Sequence, residues 1–555
     1  MLDRILINLI KLRKKKLLIT ALVLTILLIG CFNLFNLNKY HEQTNNKDLR
    51  YLANKKLKIV NEQAQYFEQT LNKNINIFKV KESMNKHRIR SISNIKGDRE
   101  RAQFIKNMTR HAWDTYEKHT MGSNEFRPIS ITEINPDMFG HGHSLGAFVI
   151  DSLDTLMLMR LDNEARAALN WIRDNFKPEL VTGFVNVFEV NIRILGGLLG
   201  AYSLSNSEND RNVLIRASVA IADLLLKAYD TEQSNLPYSL VNLQTGEKRF
   251  HEWSSGCLIL SEAGTLLLEM DYLSQITGNR TYSDIARSST ITLIKRFNGN
   301  TYISIDNSDT CSKHVSIGAL GDSFYEYLLK IEIFSKTPII KDSEPYTAFL
   351  SCLKKIESVI LKDSNPNTTY FQEYSSSQHI EIMTHLACFT GGMYALSATA
   401  RISEDPEVLA RFERLARNIT WTCRRSYLLG DGLGPENFYV HDNGELAAAS
   451  YSYYILRPEY AESLFYLYRL TKDNIYKDWA WHMVLQLEKR CKVRGGYASL
   501  QNVFNESKND DIQNTFFIAE TLKYLYLIFE EKISLNEYVF NTEGHPFKIK
   551  HSTKT

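Results

Sequence analysis

The residues of this 555-residue chain best suited to chemistry are carboxylates at expected helix starts, with arginines beside them. The fullest group is Ile455-Leu-Arg-Pro-Glu-Tyr-Ala-Glu-Ser463. Proline suits the first turn of a helix, where its missing N–H is no loss. Pro458 is therefore expected to open a helix that carries Glu459 and Glu462 about one turn apart on one face. The positive end of the helix dipole favours ionised carboxylates there, and Arg457 stands just before them. In Asn186-Val-Phe-Glu-Val-Asn-Ile-Arg193, Glu189 and Arg193 lie four residues apart on one face. The Gly196-Gly197 pair that follows admits another backbone. Asp322, after Gly318-Ala-Leu-Gly, is expected near an N-cap, as is Glu262 after Ser261. Asp151 and Asp154 flank Ser-Leu in an apolar helix. Singly, each suits a cap or a paired structural acid. Together they describe a cavity lined by carboxylates and arginine. Sugar hydrolysis needs such a cavity, with one acid to protonate a leaving oxygen and one base to activate water. The 29 tyrosines and 27 phenylalanines could wall it.

The elements that must hold these residues are mostly helical. From about residue 100 to 530, apolar residues recur at helical spacing over 144–159, 187–205, 216–229, 262–277, 322–334 and 460–471. Glycine and polar clusters such as Gly299-Asn300 and Asp431-Gly-Leu-Gly434 separate them. Strand alternation is not sustained over many segments. The clear exception is 537–549, which reads as a terminal hairpin around Asn541–Gly544. The expected architecture is a large all-α domain, a helical toroid, with a β-like tail.

Composition narrows the function classes. A net charge of +3 makes no case for nucleic acid. Seven cysteines are too few for a disulfide scaffold but allow one or two bridges. No CxxC, HExxH, GxGxxG or GxxxxGK pattern occurs, so zinc and nucleotide sites have no motif behind them. Residues 1–16 are basic (Arg4, Lys11, Arg13, Lys14, Lys15, Lys16) and are expected as a cytoplasmic tail. Residues 17–37 are apolar over about 20 positions, enough for a transmembrane helix. The cationic flank keeps that tail in the cytosol. No A-x-A-like cleavage site follows, so an anchor is expected rather than a cleaved signal peptide. Residues 38–95, rich in Asn, Lys, Glu and Gln, read as a lumenal stem, and 96–555 as the catalytic domain. Asn-x-Ser/Thr triplets at Asn107, Asn279, Asn367, Asn418 and Asn505 agree with a lumenal location.

Several stretches together resemble the class I α-mannosidases, glycoside hydrolase family 47. They are Asp151-Ser-Leu-Asp-Thr-Leu156, Phe188-Glu-Val-Asn-Ile-Arg-Ile-Leu-Gly-Gly197, Trp253-Ser-Ser-Gly-Cys257 with Glu262-Ala-Gly-Thr265, and Gly321-Asp-Ser-Phe-Tyr-Glu326. They continue through His385-Leu-Ala-Cys-Phe389, Leu456-Arg-Pro-Glu459, Phe516-Phe-Ile-Ala-Glu-Thr-Leu-Lys-Tyr524 and Phe540-Asn-Thr-Glu543. The match runs from about Ala112 to Ile549 in the family's order. The resemblance implies an (αα)7 barrel, plugged at one mouth by the terminal hairpin. It implies an inverting exo-hydrolase that removes α-1,2-linked mannose from high-mannose N-glycans with the help of Ca2+. By position, Glu459 looks like the general base, Glu189 like the acid and Asp322 like the third essential carboxylate, with the roles of the last two open. Arg193, Glu262, His385, Arg457, Glu462 and Glu543 match the sugar and metal pocket. Thr542 matches the threonine that holds calcium. Cys388 and Cys423 match the family's disulfide, and Cys257, Cys311, Cys352 and Cys491 stay unassigned.

Two departures bear on the subfamily. The endoplasmic-reticulum type has arginine where this chain has Leu320, and a pocket glutamate where it has Asn514. Both changes resemble the Golgi type. An arginine could fix which glycan arm enters through directed hydrogen bonds, so Leu320 implies broader trimming, to a five-mannose product. The segment between Asn300 and His314 looks shorter than in the family. The expectation is an active Golgi enzyme, anchored by one helix with its catalytic domain in the lumen. The alternatives are an endoplasmic-reticulum mannosidase of narrow specificity and a lectin-like quality-control protein. Oligomeric state stays open.

Overall fold

The computed structural model describes residue 89 and residues 91–549, apart from 231–233, 307–309, 366–367 and 506–508. The expected tail, transmembrane helix and most of the stem lie outside the described residues, as does Asn367.

Two kinds of helix alternate along the chain. In order they are α1 (Asp98–Thr120), α2 (Ala147–Leu158), α3 (Asp162–Asn175), α4 (Val187–Leu204) and α5 (Glu208–Leu225). There follow α6 (Leu260–Gly264), α7 (Leu267–Thr277), α8 (Thr281–Arg296), α9 (Asp322–Ser335) and α10 (Thr347–Ile360). The last are α11 (Phe389–Thr399), α12 (Pro406–Leu429), α13 (Glu459–Thr471), α14 (Ile475–Gln486) and α15 (Lys523–Phe529), which continues a wider turn over Phe517–Leu522. Helices α2, α4, α9, α11, α13 and α15 and the broken pair α6–α7 are buried nearly throughout, as expected of helices apolar on all sides. Between them come α1, α3, α5, α8, α10, α12 and α14, each with one apolar face. Each buried helix packs on the outer helix that follows it, and α15 packs on α1, so the last helix meets the first. The result is an α-barrel.

Details differ from the periodicity. The helix expected from 144 starts at Ala147, because Gly146 sits at φ 67°. The one expected from 216 starts at Glu208, where the Ser207 hydroxyl accepts the Asp210 N–H. The one over 262–277 breaks at Thr265–Leu266. Strands are also more numerous than expected: eight small sheets occur among the described residues, none wider than four strands. Apart from the terminal hairpin they lie in the connections between helices, too short to leave a long alternation. Those used below are β1 (Val181–Asn186), β2 (Leu361–Asn365), β3 (Thr368–Phe371), β4 (Gln378–Ile380), β5 (Ile382–Thr384), β6 (Asn437–Val440), β7 (Leu446–Ala448), β8 (Tyr538–Phe540) and β9 (Pro546–Lys548).

The terminal hairpin β8–β9 pairs antiparallel, with its turn over 541–545 as expected. Its turn packs on α4, where a side chain in place of Gly196 would strike the Asn541 amide at 2.5 Å. The Asn541 amide donates to the Ile192 carbonyl at 3.0 Å and to Glu269 at 2.8 Å. Asp151 and Asp154 also serve this hairpin: His545 bridges them at 2.9 and 2.8 Å, and Lys523 reaches Asp154 at 2.9 Å, all fully buried. Cys388 pairs with Cys423, joining α12 to the residue just before α11, and Cys257 pairs with Cys311. Cys352 and Cys491 are free and buried.

Candidate active site

The inner helices deliver their carboxylates from their first turns. Glu189 is in the first turn of α4, and the Asn186 side chain at the end of β1 accepts its N–H. Asp322 is the first residue of α9, and Glu459 the first of α13, with Pro458 as its cap rather than in its first turn as expected. Just upstream, Leu320 and Leu456 have φ of 73° and 70°. The left-handed region is unfavourable for a bulky side chain, so each bend is held from outside. The Leu456 carbonyl accepts the Thr521 hydroxyl at 2.6 Å, and that of Leu320 accepts the Ser261 N–H at 3.0 Å.

These helix starts surround a cavity of about 300 Å³. Glu189, Glu262, Asp322, Glu459 and Glu462 line it with Arg193, Arg457, Leu320 and Trp253, and the hairpin turn adds Thr542 and Glu543. His385 stands directly behind Glu459. Its Nδ1 lies 2.7 Å from the carboxylate and its Nε2 2.7 Å from the Tyr427 hydroxyl. Arg457 is fixed by two hydrogen bonds of 2.6 Å to Glu436 and lies 3.7 Å from Glu459. Arg193 donates to Glu189 at 2.7 Å, to Thr515 at 3.1 Å and to Glu543. His251 and Asn186 hold Glu262, each at 2.9 Å. His251 also stacks under the exposed ring of Trp253 at the cavity edge.

The electrostatics separate the carboxylates. Burial alone would raise the Glu459 carboxyl, but the His385 hydrogen bond, the imidazole's charge when protonated and the Arg457 charge outweigh it and hold Glu459 below its usual range. Asp322 is pushed up to about 7, mainly by burial and then by the charges of Glu326 and Glu459, against hydrogen bonds from the Ser323 N–H at 2.8 Å and the Ser323 hydroxyl at 3.4 Å. One cavity thus presents an ionised base and a carboxyl that keeps its proton near neutrality, the pairing that acid–base catalysis needs.

The floor of the cavity is rich in carboxyl groups. Burial, and then neighbouring carboxylates, push Glu462, Glu520 and Glu543 well above the usual range. Among the described residues no hydrogen bond reaches the hydroxyl or carbonyl oxygen of Thr542, which lines this floor. No group of three or more His, Cys, Asp and Glu side chains there is spaced to hold a metal. Hard oxygen donors, with carboxyls that a bound cation would help to ionise, fit a calcium ion that keeps most of its waters.

Comparison with known proteins shows the family. A family profile, Glycosyl hydrolase family 47, matches residues 108–549, a span that includes every residue of the cavity. The chain belongs to glycosyl hydrolase family 47. Among its relatives in the family, mannosyl-oligosaccharide 1,2-alpha-mannosidase IC of Homo sapiens is 40% identical over 83% of this chain and 72% of its own length. Mannosyl-oligosaccharide alpha-1,2-mannosidase IA of Drosophila melanogaster is 39% identical over 81% and 68%. The solved alpha-1,2-mannosidase from Trichoderma reesei superposes with a TM-score of 0.71 at 26% identity, over 82% of this chain and all of that one.

Among the family positions expected from sequence, Glu189, Asp322, Glu459, Arg193, Glu262, Arg457, Glu462, Glu543 and Thr542 all line the cavity, and His385 stands behind Glu459. Asp151 and Asp154 do not line it. They are buried against His545 and Lys523, and only Asp151 comes near, 3.8 Å from Arg193. Asn514 is not in the lining either. Its amide donates to the buried Glu125 at 3.3 Å. Sequence reasoning missed Glu326 and Glu520, which line the floor, and Glu436, His251 and Tyr427, which hold lining residues in place. Glu326 could have been found four residues after Asp322 on the same face, and Glu520 within its matched motif. Glu436, His251 and Tyr427 sit where no local pattern marks them.

Proposed function

We propose that this chain is an inverting exo-glycosidase that hydrolyses terminal α-1,2-linked mannose from high-mannose N-glycans. The observation that carries the reading is the pairing, in one cavity of a family 47 barrel, of Glu459 held ionised and Asp322 with a carboxyl raised to about 7. In this mechanism Glu459 takes a proton from the attacking water, and His385 and Arg457 keep it in place and charged. Asp322 supplies the proton to the departing glycosidic oxygen. Glu189, one of whose oxygens is taken by Arg193, offers the other to a sugar hydroxyl. Inversion follows because the base acts on water rather than on the sugar. Trp253 gives an aromatic face at the entrance.

Thr542 and the carboxylate floor would hold Ca2+ through oxygen donors, and the ion would supply an electrophilic contact that orients the hydroxyls of the bound sugar. We read the alternating helices as an (αα)7 barrel with the terminal hairpin as its plug. We read residues 17–37 as a signal anchor that holds the enzyme in the Golgi membrane, type II, with its active site in the lumen. Leu320 in the cavity supports the Golgi-type specificity, since a leucine cannot select among glycan arms by hydrogen bonding.

The test is to express residues 96–555 as a secreted protein and follow a nine-mannose N-glycan by mass. Stepwise loss of four mannoses supports the reading. Arrest after one mannose would replace it with the narrow endoplasmic-reticulum type, and binding without cleavage with a lectin.

A further inference from the structure

Strands β5 and β6 pair antiparallel, with Met383 opposite Phe438 and Thr384 opposite Asn437. One end of this ladder serves the catalytic cavity, where β5 runs into His385 and β6 begins after Glu436, joined by the His385 N–H to the Glu436 carbonyl at 2.8 Å. The other end carries Glu381 and His441, joined through the Val440 N–H to the Glu381 carbonyl at 3.1 Å. These two residues line a second cavity of about 260 Å³. From Glu436 to His441 an extended strand covers about 17 Å.

This second cavity is built rather than incidental. Its floor is β3 and the residue after it, with Tyr370 and Gln372 only 8% and 2% exposed. The floor is locked from behind, where Arg425 donates to the Thr368 hydroxyl at 2.7 Å and to the Gly444 carbonyl at 2.6 Å. The Gln372 amide meets His379 across the cavity. The Tyr370 hydroxyl has no hydrogen-bond partner among the described residues. Burial first, and then the nearby charges of Glu381 and Asp442, raise this phenol, so it stays a donor.

The lining selects a class of ligand. Two carboxylates, Glu381 and Asp442, face one ammonium, Lys362, so an anion is disfavoured. No metal-binding cluster occurs among the described residues. What remains is a wall of mixed donors and acceptors beside an aromatic ring, which suits a neutral polyhydroxylated ring: carboxylates accept from hydroxyls, and amide and phenol donate to them. We propose that this cavity binds a hexose in an uncleaved branch of the oligosaccharide whose terminal mannose occupies the catalytic cavity. The proposal rests on the glycan-trimming reading above. The separation is one that a branched glycan of many sugars bridges and a disaccharide does not.

The test compares wild type with Asp442→Asn and with Tyr370→Phe, each on the nine-mannose glycan and on α-1,2-mannobiose. The ratio of kcat/KM for the branched glycan to that for the disaccharide is expected to fall roughly tenfold in the variants, as for one or two lost hydrogen bonds. The loss should lie in KM, because binding remote from the reacting bond is uniform. An unchanged ratio, or a fall confined to kcat, overturns the proposal. If wild type cleaves neither substrate, the glycosidase reading fails, and titration calorimetry of the branched glycan decides about the second cavity. Roughly tenfold weaker binding by the variants supports it. Equal Kd values, or no binding by wild type, overturn it.

Discussion

His385 Nδ1 lies 2.7 Å from the carboxylate of Glu459, although 74 residues separate the two in the chain. The imidazole is itself fixed by Tyr427, so it can present only that nitrogen to the acid. This contact, backed by Arg457, overcomes the burial that would otherwise keep Glu459 protonated. In His385→Ala the carboxyl should rise. The acid limb of the kcat/KM profile should then move to higher pH, with activity at acid pH lower by about tenfold for each unit of displacement. A limb that stays in place would remove His385 from this role.

In the proposed mechanism Asp322 sets the opposite limb. A general acid must be protonated, so activity should be lost as pH rises through about 7. The same shift acts on stability. The folded-state value lies above the unfolded one, so the folded protein binds this proton more tightly and stability falls as pH rises from about 4 to about 7. Asp322→Asn should therefore abolish activity while raising the Tm by a few degrees at pH 8. A lower Tm in the variant would contradict the raised carboxyl.

Calcium should act on the fold as well as on the reaction. Chelation is expected to lower the Tm by several degrees and to stop hydrolysis, with both restored by added Ca2+, because a ligand that binds only the folded state stabilises it by mass action. Thr542→Val should lose most of the calcium-dependent Tm increment. A Tm indifferent to chelator in wild type would rule out an ion in this cavity.

Leu320 can be tested by substitution. With its φ of 73° and its place in the cavity, Leu320→Arg would bring five N–H donors to the entrance. Cleavage of some arms of the nine-mannose glycan should slow at least tenfold, so that partly trimmed products accumulate. A product series identical to wild type would leave specificity to other residues.

The glycosylation triplets divide by burial. Asn279 follows the α7 cap glycine, and Asn279, Arg280 and Thr281 are all exposed. Asn418 lies within α12, donates to Thr369 at 3.3 Å, and its Thr420 is fully buried. Peptide mapping of protein secreted from a eukaryotic host should find glycan on Asn279 and none on Asn418. Glycan on Asn418 would require α12 to open before folding is complete.

How much of this was open to sequence reasoning depends on the range of the interaction. Glu459, Glu462, Glu189 and Arg193 could be placed because proline, spacing and dipole act within one helical turn, and the hairpin at 538–548 because alternation and a turn suffice to mark it. The small sheets between helices escaped, being strands of two to six residues whose pairing is decided by distant partners. Asp151 and Asp154 were read as cavity acids because acids in an apolar helix must find partners, and sequence does not say which. Their partners are His545 and Lys523, nearly 400 residues onward.

The sequence by itself determined the family, the helical class and which carboxylates stand at helix starts, since these rest on local pattern and on motifs in fixed order. Only the tertiary structure decided how those carboxylates differ. Whether an acid in a buried cavity keeps its proton depends on what surrounds it. Glu459 meets His385 and Arg457, while Asp322 meets burial, like charges and the N–H and hydroxyl of Ser323. His385 comes to Glu459, and the charge of Glu459 to Asp322, from other turns of the barrel, and only folding brings them together.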